Sequence, residues 1–108
     1  LIEREGKVII VECKATRSAV DEKYVEKWIR KNIPQIREWL NERYPDIGCF
    51  EFQLWSLGGF SPNALNMLKD ARENTKKYRI EFFDKDQILN MIRQHNVQHL
   101  ADLLRRHF

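Results

Sequence analysis

A glutamate and a lysine stand two residues apart at the end of a stretch built from apolar residues. Glu12 and Lys14 follow Val8-Ile9-Ile10-Val11 and flank Cys13. A spacing of two places both side chains on the same face of a β-strand. Charged groups rarely enter an apolar environment without a partner or a task. The task that fits this pair is metal-assisted hydrolysis of a phosphodiester.

In such a site, hard oxygen atoms bind the metal ion and a nearby cation assists the reaction. The Glu12 carboxylate and the Cys13 backbone carbonyl are the oxygens that would bind Mg²⁺ or Mn²⁺. Lys14 would position the attacking water or stabilise charge on the phosphoryl group. The alternative is a structural ion pair, in which Glu12 and Lys14 compensate each other at the end of a strand.

Helical and strand patterns alternate along the chain, which indicates one α/β domain over residues 1–108. Leu1–Arg4 and Lys7–Lys14 are predicted to form a β-hairpin around Glu5-Gly6, since glycine supplies the positive φ of a tight turn. Val8–Val11 is apolar at both parities, which predicts a central strand buried on both faces.

The rest of the chain is predicted to continue the alternation. The predicted elements are a helix over Asp21–Arg43, a strand over Cys49–Leu57, a helix from Ser61-Pro62, a strand over Tyr78–Phe83, a helix capped by Asp84 and a last helix over Val97–Phe108. Pro34 should kink or divide the first helix. Helical crossovers make the strands parallel. We therefore expect a mixed central sheet, a hairpin plus parallel crossover strands, flanked by helices.

The stretch Gly6–Lys14 resembles the ExK element of the PD-(D/E)XK nuclease superfamily, closest to its Mrr-like and archaeal Holliday-junction-resolvase-like groups. The Gly-Gly-Phe-Ser-Pro-x-Ala turn over Gly58–Ala64, and the order of elements around it, is similar to Mrr-type domains over residues 1–90. The resemblance implies a restriction-endonuclease-like core that cleaves DNA with Mg²⁺ or Mn²⁺. It makes Glu12 a metal ligand and Lys14 the catalytic lysine.

One position departs from the family pattern. The family also carries an aspartate on the first hairpin strand, and no aspartate precedes Glu12 in this sequence. Pairing around a two-residue turn sets Glu3 opposite Val8, so the residue opposite Glu12 would lie two positions before Leu1. Glu3 would be about 13 Å from Glu12 along the sheet, too far to share one ion. We expect a domain that lacks its N-terminal part and belongs to a larger protein with additional domains.

The cations after the ExK strand are candidates for DNA binding. Arg17, Lys23 and Lys27, joined by Arg30 and Lys31, could line a surface that follows the phosphate backbone. The alternative is a solvated helix face neutralised by neighbouring acidic residues. The net charge of +3 permits phosphate contacts but does not require them.

Several other residues have a functional and a structural interpretation. Gln53 and Ser56 could hold water or metal near the site, or be ordinary polar residues of a partly covered strand. Trp28, Trp39 and Trp55 are expected in the core rather than as platforms for base stacking.

The remaining residues bear on the cellular compartment of the protein and on whether it has a zinc site or a membrane span. His95 and His99 have a spacing that can bind zinc, but no HExxH pattern accompanies them, so exposed histidines are expected. Cys13 and Cys49 lie in apolar runs, which favours reduced thiols and a cytoplasmic protein. No apolar run approaches the roughly 20 residues that cross a bilayer, so no membrane partner is expected.

Three functions remain open at this point. The leading hypothesis is a metal-dependent DNA endonuclease. The second is a nuclease-like fold that binds nucleic acid or protein without cleavage, since fold does not fix function. The third is an oligomerisation domain, in which Val97–Phe108 would dock on a second copy to form a homodimer.

Overall fold

The computed structural model describes residues 2–4 and 6–94, which form an α/β structure with one sheet flanked by helices. The sheet has four strands in the order β1-β2-β3-β4. β1 is antiparallel to β2, whereas β2, β3 and β4 are mutually parallel. The strands are β1 (Ile2–Arg4), β2 (Lys7–Lys14), β3 (Cys49–Ser56) and β4 (Arg79–Asp84). The α/β class and the parallel crossover strands are confirmed.

The hairpin has the predicted register. Glu3 pairs with Val8 and Ile2 with Ile9, and Gly6 adopts a φ of 76° in the turn. Within the described residues, pairing with β1 ends at Ile9. Among the described residues, the part of β2 that carries Glu12 therefore has a strand partner only on the β3 side.

The first helical region is interrupted as Pro34 predicts. It consists of α1 (Glu22–Lys27), a π-helical turn (Trp28–Asn32) and α2 (Ile33–Arg43). The Ile33 N–H donates to the Trp28 carbonyl, five residues back instead of four. Pro34 has no N–H to donate, and its ring needs clearance from the preceding turn, so the wider turn forms just before it.

The other two helices begin at the predicted caps. In α3 (Pro62–Asn74), the Ala64 N–H donates to the Ser61 hydroxyl at 3.2 Å. At the start of α4 (Lys85–Gln94), Asp84 and Gln87 each accept the backbone N–H of the other at 2.9 Å. Such reciprocal bonds satisfy amides that would otherwise lack partners. His95, His99 and Val97–Phe108 lie outside the described residues.

The core lies on the face of the sheet that carries the even-numbered side chains of β2, β3 and β4. This face packs against the helices through the buried residues Val8, Phe50, Phe52, Leu54, Ile80, Phe82, Val25, Trp28, Ile33, Leu40, Ala64 and Leu68. Burial of these side chains is the main source of stabilisation. Trp28 is part of this core, as expected from the sequence.

Two expectations about burial are wrong. Trp39 is 46% exposed, with the Arg43 guanidinium stacked 4.8 Å from its ring centroid. A π-helical turn takes one extra residue and rotates later side chains by about 100°, so the inward position passes from Trp39 to Leu40. Within Val8–Val11, only Val8 is fully buried, because the core helices cover one face of the sheet.

Two loops at the carboxyl end of the parallel strands are locked together. The Val20 N–H donates to the Gly59 carbonyl, and the Ser61 N–H donates to the Val20 carbonyl, both at 2.9 Å. A Cβ on Gly58 would lie 2.2 Å from the Ser18 carbonyl oxygen. The β2–α1 loop and the β3–α3 turn therefore pack backbone against backbone.

Gly58→Ala should destabilise the protein by about 1–3 kcal/mol, because the added methyl group meets rigid backbone atoms and forces the loops apart. Urea unfolding measures the effect. Gly48→Ala is the matched control, since a Cβ there meets nothing within 4 Å. The control should be neutral or slightly stabilising. Equal stability of both variants would contradict the backbone contact.

Candidate active site

Glu12 and Lys14 lie at the carboxyl end of β2 and on the helix-covered face of the sheet. Glu12 pairs in register with Leu54, and Lys14 pairs with Ser56. Both partners on β3 are fully buried, and the two charged residues are half-buried. Open parallel sheets bind their ligands outside the carboxyl ends of the strands. The predicted catalytic residues thus meet where such sheets place their sites.

Tyr24 of α1 contacts both residues. The Lys14 Nζ lies 4.7 Å from the centroid of the Tyr24 ring. Burial raises the pKa of the Tyr24 phenol to about 12, and the negative charge of Glu12 and a hydrogen bond to its carboxylate add to this rise. In the sequence, Tyr24 fits the apolar stripe of the predicted helix over Asp21–Arg43. The sequence carries one sign of this contact, because Tyr24 is an aromatic residue with a hydroxyl group in the first turn of the helix that follows Glu12 and Lys14.

The structural ion-pair interpretation of Glu12 and Lys14 does not match the geometry. Among the described residues, Lys7 and Arg79 form ion pairs with Glu51, and further ion pairs join other residues. None of these ion pairs includes Glu12 or Lys14. Lys14 instead faces an aromatic ring, which attracts a cation without neutralising its charge. Both charges therefore remain available for a ligand.

One oxygen of Glu12 is buried without a hydrogen-bond partner. It is Oε2, which has almost no contact with solvent. A buried polar group left unsatisfied costs about 1–3 kcal/mol, and a charged group costs more. Native proteins keep few such groups, and those that remain often serve a function or bind an ion. The orphaned oxygen fits a site for a cation.

The other donors complete only part of a metal site. The Lys14 carbonyl accepts from the Leu57 N–H at 3.1 Å, so the Cys13 carbonyl points to the opposite edge of β2 because successive carbonyls alternate. The Cys13 thiol is exposed on the other face. In the described part of the chain, no three His, Cys, Asp or Glu side chains cluster as metal ligands. Mg²⁺ often binds one or two carboxylates together with water and substrate phosphates. Glu12 and Cys13 fit one half of such a site.

A small cavity adjoins this group. It has a volume of about 170 Å³, and its lining includes Lys14, Thr16, Ser18, Asp21 and Tyr24. Ligand pockets for larger organic molecules measure roughly 300–1,000 Å³. This cavity suits a phosphate group or a hydrated ion. The Asp21 carboxylate is engaged as the cap of α1, where it accepts the Tyr24 N–H at 2.9 Å.

Gln53 and Ser56 do not join the site. Gln53 lies on the opposite face of the sheet because its position in β3 is odd-numbered; it donates to Glu51 at 2.6 Å and accepts from the Trp55 indole at 2.9 Å. Ser56 is fully buried and donates to the Gly59 carbonyl at 2.7 Å. Both side chains are used by local structure.

The predicted DNA-binding cations are exposed. Arg17 lies in the β2–α1 loop, and Lys23 and Lys27 are four residues apart on one face of α1. Within the described ranges, the ion pairs include none of these three side chains, whereas Arg30 pairs with Glu26 at 3.5 Å. Arg17, Lys23 and Lys27 are free to contact phosphates.

None of the helices in the described part of the chain is long and apolar enough to span a bilayer. Comparisons with protein-family models, curated proteins and solved structures find no match to this chain.

A second charged cluster lies on the other face of the sheet and has full partners. Glu51 is 6% exposed, and its carboxylate lies 2.9 Å from the Lys7 ammonium and 3.8 Å from the Arg79 guanidinium. Burial alone would raise the pKa of Glu51. Hydrogen bonds from Lys7 and Gln53 and the charges of Lys7 and Arg79 outweigh it and hold the pKa below its usual value.

Because the folded state lowers the pKa of Glu51, this carboxylate stabilises the protein fully above its unfolded-state pKa, and the stabilisation is lost as pH falls through the folded-state pKa. Glu51→Gln should therefore flatten the acid side of the stability curve. Urea unfolding at a series of pH values measures the slope. Glu73→Gln, at an exposed carboxylate of α3, should keep the parent slope. An unchanged slope in Glu51→Gln would contradict this account.

Proposed function

We propose that this chain forms the core of a metal-dependent DNA endonuclease of the PD-(D/E)XK type, working in the cytoplasm. The observation that carries the proposal is the placement of Glu12 and Lys14 side by side at the carboxyl end of β2, with Glu12 Oε2 buried and unsatisfied. A carboxylate oxygen without a partner and a lysine that enters no ion pair among the described residues suit a site that receives a divalent cation and a phosphate.

Each residue of the site would have a separate role in hydrolysis of the phosphodiester. Glu12 and the Cys13 carbonyl would hold the metal ion, which would supply activation of water and polarisation of the phosphoryl group. Lys14 lies over the Tyr24 ring, and its ammonium would orient the attacking water or stabilise the developing phosphoryl charge. The neighbouring cavity of about 170 Å³ receives the phosphate.

The proposal needs a further oxygen ligand near Glu12. If the β1–β2 register continued, the position opposite Glu12 would lie two positions before Leu1. An aspartate there would face Glu12 across the hairpin, as the resemblance to the nuclease family implies. This position decides between a complete metal site and a partial one.

Exposed cations extend the site toward DNA. Arg17 lies beside the cavity, and Lys23 and Lys27 continue along α1. Contacts from such side chains to phosphates position a duplex without reading its sequence. Sequence or junction specificity would require other contacts.

A second candidate function is nucleic-acid binding without cleavage. It is favoured by the lack of a cluster of three His, Cys, Asp or Glu side chains among the described residues. In this case Lys14 and the exposed cations would bind phosphates, and Glu12 would have no catalytic metal to hold.

Cleavage should depend on both charged residues. Glu12→Gln and Lys14→Met should each lower kcat by at least about 10²-fold, because each removes stabilisation of the transition state. Nicking of supercoiled plasmid and cutting of branched DNA, with Mg²⁺, Mn²⁺ or EDTA, measures the activity. Lys69→Met, at an exposed lysine of α3, should retain it.

Stability measurements accompany this test. Glu12→Gln should be as stable as the parent or more stable, because it removes the charge from an unsatisfied buried group. Loss of cleavage in a folded variant is then a chemical effect. If the folded parent protein binds DNA but never cuts it, nucleic-acid binding without cleavage replaces the endonuclease proposal.

DNA affinity should depend on the cations of α1. Lys23→Gln/Lys27→Gln should reduce the slope of log K against log salt by about 2, since each lost phosphate contact removes about 0.9. Fluorescence anisotropy with a labelled duplex between roughly 50 and 200 mM salt measures the slope. Lys76→Gln/Lys77→Gln is matched in charge and lies before β4, at the opposite end of the sheet. If both variants have equal slopes, the DNA does not bind along α1.

A further inference from the structure

Tyr24 makes two different contacts in the candidate site. Its hydroxyl lies near the Glu12 carboxylate, whose negative charge helps to raise the pKa of the phenol, and its ring face carries the Lys14 ammonium, with Nζ 4.7 Å from the ring centroid. One aromatic side chain therefore joins the two residues that the proposed chemistry requires.

The chain holds Tyr24 firmly in this place. Asp21 caps α1 by accepting the Tyr24 backbone N–H at 2.9 Å. The next residue, Val25, is fully buried in the core, and Trp28 one turn later is 2% exposed. The loop before α1 is locked to the β3–α3 turn at Gly58. These contacts fix the backbone position of Tyr24 beside the carboxyl end of β2.

Each contact has a distinct consequence. The neighbouring hydroxyl restricts where the Glu12 carboxylate can lie, and Glu12 Oε2 is buried without a hydrogen-bond partner and can accept a metal ion. The ring attracts the ammonium of Lys14 but adds no negative charge, so the lysine is held without being neutralised. A carboxylate in the same place would hold Lys14 and also cancel its charge.

Packing alone does not explain a tyrosine at this position. A phenylalanine would fill the same space and offer the same ring face to Lys14. The hydroxyl of half-buried Tyr24 is a donor that phenylalanine lacks, and the Glu12 carboxylate is an acceptor beside it. The hydroxyl therefore serves Glu12, and the ring serves Lys14.

We propose that Tyr24 is the positioning residue of this site, with its hydroxyl orienting the Glu12 carboxylate and its ring placing the Lys14 ammonium. The purpose of this arrangement rests on the proposed metal-dependent function. The arrangement itself can be tested on the chain without DNA or metal.

Two substitutions separate the two contacts. Tyr24→Phe removes only the hydroxyl, and Tyr24→Leu removes the ring as well. Tyr78→Phe is the matched control, since Tyr78 also packs in the core, carries the Arg37 guanidinium 4.9 Å from its ring centroid and lies away from Glu12. Urea unfolding of each variant verifies that it is folded.

Nuclear magnetic resonance at a fixed neutral pH reads both contacts. In Tyr24→Phe, the carboxyl carbon of Glu12 should change its chemical shift, while the ring-current shift of the Lys14 ε-protons should persist. In Tyr24→Leu, that Lys14 shift should disappear. Tyr78→Phe should change neither signal. If Tyr24→Phe leaves the Glu12 signal unchanged, or Tyr24→Leu keeps the Lys14 shift, the proposal is overturned.

Two further measurements, the binding of Mn²⁺ alone and the cleavage of DNA, then test whether the arrangement around Tyr24 serves the proposed function. Tyr24→Phe should weaken Mn²⁺ binding by about tenfold or more, as for other residues that orient metal ligands. It should lower kcat while leaving the KM for DNA unchanged. A parent protein that binds no Mn²⁺ and cuts no DNA would refute the proposed function, and the resonance signals would still decide the role of Tyr24.

Discussion

The site depends on the close backbone contact between the β2–α1 loop and the β3–α3 turn. Gly58 approaches the Ser18 carbonyl so closely that no side chain fits between them. Hydrogen bonds through Val20 and Gly59 complete the junction. Because α1 starts directly after this loop, the junction sets where Tyr24 lies above β2. The site is thus built by backbone packing before any charged group takes part.

The same sheet carries two glutamates, half-buried Glu12 and buried Glu51, whose carboxylates have different hydrogen-bond and ion-pair partners. Glu51 has Lys7, Gln53 and Arg79 as partners, and together they hold its pKa below the usual value. Glu12 has Tyr24, and its second oxygen has no partner. A fully paired carboxylate has little free capacity for a cation, whereas an unsatisfied one gains free energy by binding it. This contrast favours Glu12 as the functional carboxylate and Glu51 as a structural one.

The sequence predicted those features that depend on local chemistry. The hairpin register follows from the Glu5-Gly6 turn, and the helix starts follow from Ser61 and Asp84. The burial of Trp39 was predicted wrongly, since the pattern gives no direct sign of the extra residue in the π-helical turn before Pro34. The role of Tyr24 was missed because an aromatic residue in an apolar stripe looks the same whether it packs in a core or contacts charged groups. Only the crossover geometry brings α1 over the end of β2.

The chemistry of the site depends on the position opposite Glu12. Directly opposed residues of an antiparallel pair have Cα atoms about 4.5–5.5 Å apart. Two carboxylates at that distance repel each other in a half-buried setting, and a divalent cation converts the repulsion into attraction. With such a pair, metal binding would relieve both the repulsion and the unsatisfied oxygen of Glu12. With Glu12 alone, a hydrated Mg²⁺ gains little by giving up water, since a single carboxylate offers few ligands. The uncompensated Lys14 would then dominate, and the same structure would bind phosphates without cutting them.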